Sequence, residues 1–403
     1  MALNIPSVKG QSEQALSADA FVDSIGVAVH LRYLDTPYGK YNSIIKPRLN
    51  ELGVRHIRDG GSEPIFLEKL NDLASVGIRS TLVMDPRDGI KPADAVKIAK
   101  TVANSVEAIE GPNETDLNEF SYNGAAFPKG TRIYQKALYT AIKKDPETTA
   151  LPVLMPSMGW ALNASKLGFL SACDLGNMHS YAGSQPPTHH LDDRYIPNVQ
   201  IVCGTNKPIM ASETGYQNAI ENLQSKPAIS EQASAKYLSR LLLEYFNRRI
   251  RRTFLYELIN EKQGDDPEWN FGLLRYDGSP KPAFTAIKHL ILLLNDPDSN
   301  FSPESLNYQL SGQLTNVHHT LLQKRDGTFY LILWQEVKSW DNVNRKDIIV
   351  ADKAVTVTLN TAIREVTVYR PLDSITPVQL YSQPKQIKLG VPDEPVVLKL
   401  VQG

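Results

Sequence analysis

The chain has 403 residues, 42% hydrophobic and 22% charged, with a formal net charge of −1, the balance of a soluble globular protein with a large core. No basic stripe with interleaved aromatics suits a nucleic acid, and no apolar run is long enough to span a bilayer, so neither partner is expected. The two cysteines, Cys173 and Cys203, form neither a disulfide scaffold nor a metal pattern and read as buried free thiols.

The opening MALNIPSVKGQSEQ lacks a charged segment followed by an apolar one, so it does not read as a signal peptide. Had a leader been removed ahead of it, the protein would be secreted or periplasmic; otherwise it would be cytoplasmic. Residues 1–20 are expected as an extension ahead of the first strand.

From Ile25 to about residue 296, short β-branched runs alternate with helical stretches. Strand one is IGVAVHL (25–31), and its helix is closed by Gly53, a residue suited to the left-handed end of a helix. Strand two is 54–60, followed by a helix closed by Gly77; strand three is 79–85, with Pro92 in the first turn of its helix. Strand four is VEAIEGPNE (106–114) with a helix over 132–144, and strand five is 152–158 with a helix near 166–172. Strand six is 175–181 with a weak helical signal over 195–202, and strand seven is 208–215 with a long amphipathic helix opened by Ser230. Strand eight is RTFLYELIN (252–260), and KPAFTAIKHLILLLN is the last helix. Arg248, Arg249, Arg251 and Arg252 fall at a helix end, where cations suit the dipole.

Eight strand–helix units in one stretch predict a (β/α)8 barrel over 1–296. A doubly wound sheet is the competing fold, but it normally carries a glycine-rich phosphate turn after its first strand, and none is present. After residue 296 only strand-like runs remain, with RDGT (325–328) a strong hairpin signal. Residues 297–403 therefore read as an antiparallel β-sandwich.

Catalytic groups of such a barrel sit at the C-terminal ends of its strands. The predicted ends carry His30 and Arg32, Arg58 and Asp59, Asp85 with Arg87, Asn113 and Glu114, Ser157 with Trp160, His179 and Tyr181, Glu213 with Tyr216, and Glu257 with Asn260. Glycosidic chemistry needs a proton donor and a second carboxylate across the scissile bond. Glu114 and Glu213 supply that pair, on strands that face each other across the mouth. Asn-Glu occurs four times, at 50–51, 113–114, 118–119 and 260–261. Only Asn113-Glu114 ends a strand on a Gly-Pro turn, which forbids a regular ladder.

GPNE ending strand four, SETG ending strand seven, and the exit FGLLRYDGSPKPAF together resemble a clan A glycoside hydrolase. The sandwich after the barrel is similar to that of family 39 and related members. The resemblance implies a retaining hydrolase of β-linked oligo- or polysaccharide, with no cofactor and no metal, and a monomer is expected. It implies that Glu114 is the general acid/base and Glu213 the nucleophile, that Asn113 binds the sugar 2-hydroxyl, and that Arg58 hydrogen-bonds the nucleophile. His179 or, preferably, Tyr181 would hold Glu213 in place. Many clan members end strand eight on a Trp under the sugar; here Glu257 falls at that place, as a third carboxylate for sugar hydroxyls or for a charged sugar group, and Trp269 in the next loop could supply the aromatic face.

Other residues have two readings. His30 and Tyr33 either line a subsite or pack the first loop. Trp160 and Tyr216 line the cleft or are plain packing. Arg58 and Asp59 could form a rim ion pair instead of serving the nucleophile. The pairs His189-His190 and His318-His319 lack the i, i+4 spacing and carboxylate partner of a metal motif. Long polar loops after strands five, six and eight would wall a cleft and so favour endo-action, with an exo-glycosidase as the alternative. A non-catalytic sugar-binding barrel would not need the opposed carboxylates. A metal-dependent barrel hydrolase would want a His on strand four, which offers none.

Overall fold

A computed structural model describes residues 12–117, 119–222, 227–297 and 300–403. Residues 1–11 of the expected extension and Asn118 of the third Asn-Glu pair lie outside them. Seven parallel strands run in the order four, three, two, one, eight, seven, six. They are Val106–Glu110, Arg79–Val83, His56–Gly60, Ile25–Ala28, Arg252–Leu255, Ile209–Thr214 and Gly176–His179. The fifth position is a short extended segment. Val153 bridges to Ile109 of strand four and Leu154 to Leu175 beside strand six, both parallel, which closes the sheet into a (β/α)8 barrel. Inside it Ala108, Leu154, Leu175 and Met210 form a small closed core.

The ladders of strands one, four and eight stop well before the predicted strand ends, so that His30, Asn113, Glu114 and Tyr256 fall in the turns just beyond, whereas Arg58, His179 and Glu213 stay within their ladders. Strand four shows why. Its ladder ends at Glu110. Gly111 lies so close to Gln135 that an added Cβ would sit 2.1 Å from Gln135 Oε1, and Pro112 has no N–H to continue the pairing. The helix expected over 166–172 is a single turn, Ala164–Leu167, ended by Gly168 at φ +68°. The helix after strand six starts earlier, as a π-turn Leu191–Tyr195 leading into Ile196–Cys203. Ser230 does open the helix Glu231–Asn247, accepting the Ala233 N–H at 2.9 Å.

The sandwich has a four-stranded and a six-stranded sheet. The hairpin at RDGT joins Val317–Gln323 to Phe329–Gln335, with Gly327 at φ +84°. Two strands come from the start of the chain: Ser12–Gln14 pairs with Ser305–Gly312, and Leu16–Ser17 with Val317–Gln323. Residues 12–17 thus join the sandwich and not the barrel, and Ser17 then caps the helix Ala18–Asp23 that leads into strand one. Leu322, Tyr330, Ile332, Trp334 and Val397, from the six-stranded sheet, share one apolar cluster with the barrel helices. The same interface buries Glu244, which receives Trp334 Nε1 at 2.8 Å and Arg248 Nη1 at 2.7 Å and lies 2.6 Å from His318 Nδ1. Among the described residues, no helix is long and apolar enough to cross a membrane.

Candidate active site

A cavity of about 680 Å³ opens at the C-terminal mouth of the barrel. It is lined by His30, Tyr33, Arg58, Asn113, Glu114, Trp160, His179, Tyr181, Glu213 and Tyr216. With Glu257 and Trp269, these make up the twelve residues that the sequence offers for catalysis or sugar binding, so ten of the twelve meet at one cavity.

Beyond Pro112 the chain turns sharply. Glu114 adopts φ +43°, a left-handed conformation that a residue with a Cβ rarely takes and that clusters at functional sites. Its N–H donates to Ser157 Oγ at 3.1 Å, and that hydroxyl donates to Asn113 Oδ1 at 3.0 Å. The Asn113 N–H donates to Asp85 Oδ2 at 2.9 Å, and Arg87, held by Asp85, donates to the Asn113 carbonyl. The turn is fixed from strands three and five.

Arg58 forms the floor. Its Nε and Nη2 donate to Glu110 at 2.7 and 2.8 Å, Nη1 donates to Glu213 Oε1 at 2.5 Å, and Nη2 reaches Asn113 Oδ1 at 2.9 Å. Glu110 also receives Asn177 Nδ2 at 3.0 Å and Ser212 Oγ at 3.1 Å. Burial alone would raise the Glu110 carboxyl, but Arg58 and His179 outweigh it and bring it down to about 2. Burial likewise opposes the charge of Arg58, and its two carboxylates overcome that and raise it. The rim ion pair with Asp59 is not formed. Asp59 accepts the backbone N–H groups of Leu31 and Gly60 at 2.8 and 2.7 Å, and burial pushes it up to about 7.

Tyr181 donates its hydroxyl to Glu213 Oε2 at 2.8 Å. His179 lies between the two glutamates, with Nδ1 2.7 Å from Glu114 Oε1 and 3.5 Å from Glu213 Oε2, while Nε2 is 2.9 Å from Ser212 Oγ. Burial disfavours the imidazolium, but Glu213, Glu110 and Glu114 together raise it to about 10. Burial pushes Glu114 up, and the His179 hydrogen bond and charge, with Arg58, bring it below the ordinary range. A Glu114 oxygen, a His179 nitrogen and a Glu213 oxygen all lie within 4.8 Å of one another.

Strands one and eight carry the opposite wall. His30 stacks on Tyr33 at 4.7 Å with planes 6° apart and meets Tyr256 edge-on at 5.6 Å. Tyr256 continues to Phe271 at 5.4 Å, and Phe271 to Tyr181 at 5.6 Å. Burial holds the His30 imidazole down at about 4, so the ring is neutral, with one donor and one acceptor.

Two expected residues need correction. Glu257 does not line the cavity: it is 0% exposed and accepts the Tyr38 hydroxyl at 2.8 Å behind the wall. Burial and then the Glu261 charge push its carboxyl well above the ordinary range. The place at the mouth belongs to Tyr256, the first residue past the strand-eight ladder, joined to Glu257 by a cis peptide bond. Trp269 does not reach the cavity either. It packs within its own loop, with Lys262 Nζ 5.2 Å from its ring centre and Gly264 against one edge; Glu268 and Phe271 line the cavity instead. Tyr216 lines the cavity but is 2% exposed, and its hydroxyl donates to the Gln185 carbonyl at 2.9 Å.

Absent from the sequence reading are Glu110, Tyr256 and Asp116, the last of which accepts the Gly159 and Trp160 N–H groups at 2.9 and 3.0 Å beside Glu114. Glu110 was visible as an acid inside a buried strand, and Tyr256 as an aromatic one residue before the expected Trp. Asp116 carried no signal. Two clusters among the described residues could hold a cation: Glu114, His179 and Glu213, already neutralised by Arg58 and the imidazolium, and His30, Glu257 and Glu261. The doubled histidines are engaged elsewhere: His190 lies 3.1 Å from Asp193, His318 pairs with Glu244, and His319 pairs with Glu13.

No family model matches the sequence, and no curated protein matches it. Solved structures do. A family 39 glycoside hydrolase from the gut symbiont Bacteroides cellulosilyticus WH2 is 17% identical, with a TM-score of 0.65, over 96% of this chain and 82% of that one. A monomeric β-xylosidase from Caulobacter crescentus CB15 is 14% identical with a TM-score of 0.62, and a family 39 β-xylosidase from Caulobacter crescentus is 14% identical with a TM-score of 0.60. Each of the latter two covers 97% of this chain and 98% of its own. The shared property is the fold, a barrel followed by a β-sandwich.

Proposed function

We propose that the protein is a retaining β-glycosidase with Glu213 as nucleophile and Glu114 as proton donor. The observation that carries this reading is the pair itself: two glutamates from strands four and seven with oxygens within 4.8 Å of each other. That suits the separation of about 5–5.5 Å used in double displacement; an inverting enzyme needs room for a water between its carboxyls. The β-xylosidases of the same fold support a β-linked substrate.

In the first step Glu213 attacks the anomeric carbon as the glycosidic C–O bond breaks. Arg58 and Tyr181 each donate to the attacking carboxylate and hold it in place. Glu114 and His179 hold one proton between them, and it passes through Glu114 to the departing oxygen. Once Glu213 is an ester its charge is gone, and with it the strongest attraction that keeps His179 protonated. That loss favours the transfer to the leaving group, and the pair, now without its proton, accepts one from the incoming water. Water attacks the anomeric carbon, the ester bond breaks, and Glu213 returns as a carboxylate. Asn113, held by Arg58 and Ser157 beside Glu213, binds the sugar 2-hydroxyl.

The unbroken ring wall from Tyr33 through His30, Tyr256 and Phe271 to Tyr181 supports a closed glycone end and release of one terminal sugar. We propose that the barrel to about residue 296 is the catalytic unit, that the sandwich buttresses it, and that the enzyme acts as a monomer. NMR of the first-formed anomer from a panel of β-glycosides tests the reading. Retention is expected, an inverted product excludes Glu213 as nucleophile, and full activity in Glu213→Gln or Glu114→Gln overturns the site.

A further inference from the structure

The loops after strands four and five meet beside Glu114, across the cavity from His30, Tyr33 and Tyr256. Three large apolar side chains stand exposed there, Leu117 at 46%, Trp160 at 64% and Leu162 at 63%, and all three line the cavity. A lone exposed Leu needs no explanation, but a contiguous apolar set on a cavity rim marks a ligand surface.

This lip is tied to the proton donor. Asp116, two residues after Glu114, accepts the Gly159 N–H at 2.9 Å, the Trp160 N–H at 3.0 Å and Asn163 Nδ2 at 3.0 Å. Leu117 lies so close to Gly159 that an added Cβ would sit 2.1 Å from Leu117 Cδ1, and the same atom would be 3.2 Å from Glu114 Cδ. One carboxylate thus ties the Trp160 backbone to the turn that carries Glu114.

The chemistry of the lip narrows its occupant. Among the described residues on this stretch of wall, Leu117, Gly159, Trp160, Ala161 and Leu162, only the indole N–H can hydrogen-bond through a side chain. Asp116 is taken up by its three donors, and Arg87 by Asp85 and the Asn113 carbonyl. Arg194 and Tyr195, from the turn packed against Ala161–Asn163, also line the cavity, and the Tyr195 hydroxyl donates to the Tyr181 carbonyl. Arg194 aside, a pyranose seated on the indole and the two leucines would find few side-chain partners for its hydroxyls, which is costly once water is excluded. A flat apolar ring would lose nothing and gain contact with the indole face and two leucines. In double displacement the leaving group departs on the proton donor's side. We propose that this lip is an aglycone subsite for an apolar, ring-bearing leaving group, and that Asp116 is the positioning residue that holds Trp160 for it. The inference rests on Glu114 being the proton donor and narrows the substrates to glycosides of aromatic or similarly flat apolar alcohols.

The test uses phenyl and 2-naphthyl β-glycosides of xylose, glucose and galactose, because the two phenols are similar as leaving groups and differ by one apolar ring. On the accepted sugar, the wild-type KM should be about tenfold lower for naphthyl. In Trp160→Ala and Asp116→Ala that ratio should collapse to about one, and Asp116→Asn, which keeps one acceptor oxygen, should restore part of it. A general loss of structure in Asp116→Ala would lower kcat and melting temperature for both substrates without touching the ratio. Equal KM values in the wild type, or a ratio that survives in both alanine variants, would overturn the proposal. Calorimetric titration with the S-linked 2-naphthyl and phenyl glycosides separates binding from chemistry. If the O-glycosides are not cleaved but the naphthyl preference and its loss in Trp160→Ala persist, the lip stands and the hydrolase reading falls. Binding indifferent to Trp160 would remove the lip whatever the catalysis.

Discussion

The wall carried by strands one and eight and the lip carried by the loops after strands four and five bound the same cavity with opposite materials. The wall is made of half-buried and buried rings bearing polar atoms: the His30 imidazole, whose Nε2 lies 3.3 Å from the Tyr256 hydroxyl, and Tyr33 stacked upon it. The lip is exposed hydrocarbon and indole, its backbone tied down by the Asp116 carboxylate. The difference sets how strictly each side can discriminate. A site built to hydrogen-bond a ligand rejects an analogue lacking the group by about 10⁴–10⁵, because buried polar atoms are left unpaired, whereas an apolar surface separates ligands by only about 10–200-fold per methylene-sized change. The glycone side should therefore be stringent and the aglycone side graded.

The largest effect tests the ground between the two. Glu213→Gln should lower kcat by about 10⁵ or more, as loss of a nucleophile does. Glu114→Gln should cost about 10²–10⁴, less for activated aryl leaving groups, when hydrolysis is followed by released phenol. A Glu114→Gln loss that ignores the leaving group would break the assignment of the lip side to departure. On the wall side, removing one ring hydroxyl of the glycone should lower kcat/KM by about 10³ or more, far beyond the effect of trimming the aglycone. Comparable losses on both sides would dissolve the contrast.

Arg58→Met should cost about 3–5 kcal/mol of stability in chemical denaturation, because it strands Glu110 and Glu213 as buried charges without their partner. Loss of less than about 1 kcal/mol would mean the floor does not depend on that ion pair. The pH dependence of stability follows from His179. Its folded value is raised from 6.5 to about 10 by Glu213, Glu110 and Glu114 against the opposing effect of burial. The folded state thus binds this proton more tightly than the unfolded chain does. Its stabilisation is complete below pH 6.5 and is lost as pH rises through about 10. Denaturation midpoints followed across that window should decline, and His179→Gln should flatten the decline. The smallest effect concerns strand eight's loop. Trp269→Ala should leave KM within about twofold, because the side chain lies outside the cavity; a tenfold rise would return it to the wall.

Much of this arrangement was legible beforehand. Glu114, Glu213, Arg58, Asn113, His179 and Tyr181 are residues whose strand number and position near a strand end could be counted, and the barrel brings them to one mouth. The misreadings occurred where one residue of register decides which way a side chain faces. Strand eight's ladder ends at Leu255, so Tyr256 takes the mouth and Glu257 turns behind it. Trp269 sits in a loop whose fold depends on its own contacts with Lys262 and Gly264, which no periodicity encodes. Residues 12–17 read as an extension because their partners, Ser305–Gly312 and Val317–Gln323, lie about 300 positions away.

By itself the sequence determined the alternation of strands and helices, and with it the barrel, since hydrophobic period and turn residues are local properties. It also determined which carboxylates could oppose each other, because strand order fixes the mouth. Only the tertiary structure decided the electrostatics. Glu110 under Arg58, the His179 imidazolium between two glutamates, and Asp116 fastening Trp160 beside Glu114 all depend on distances between residues far apart in the chain. Charge and burial act over a few ångströms of space, and that spacing is a property of the packed barrel.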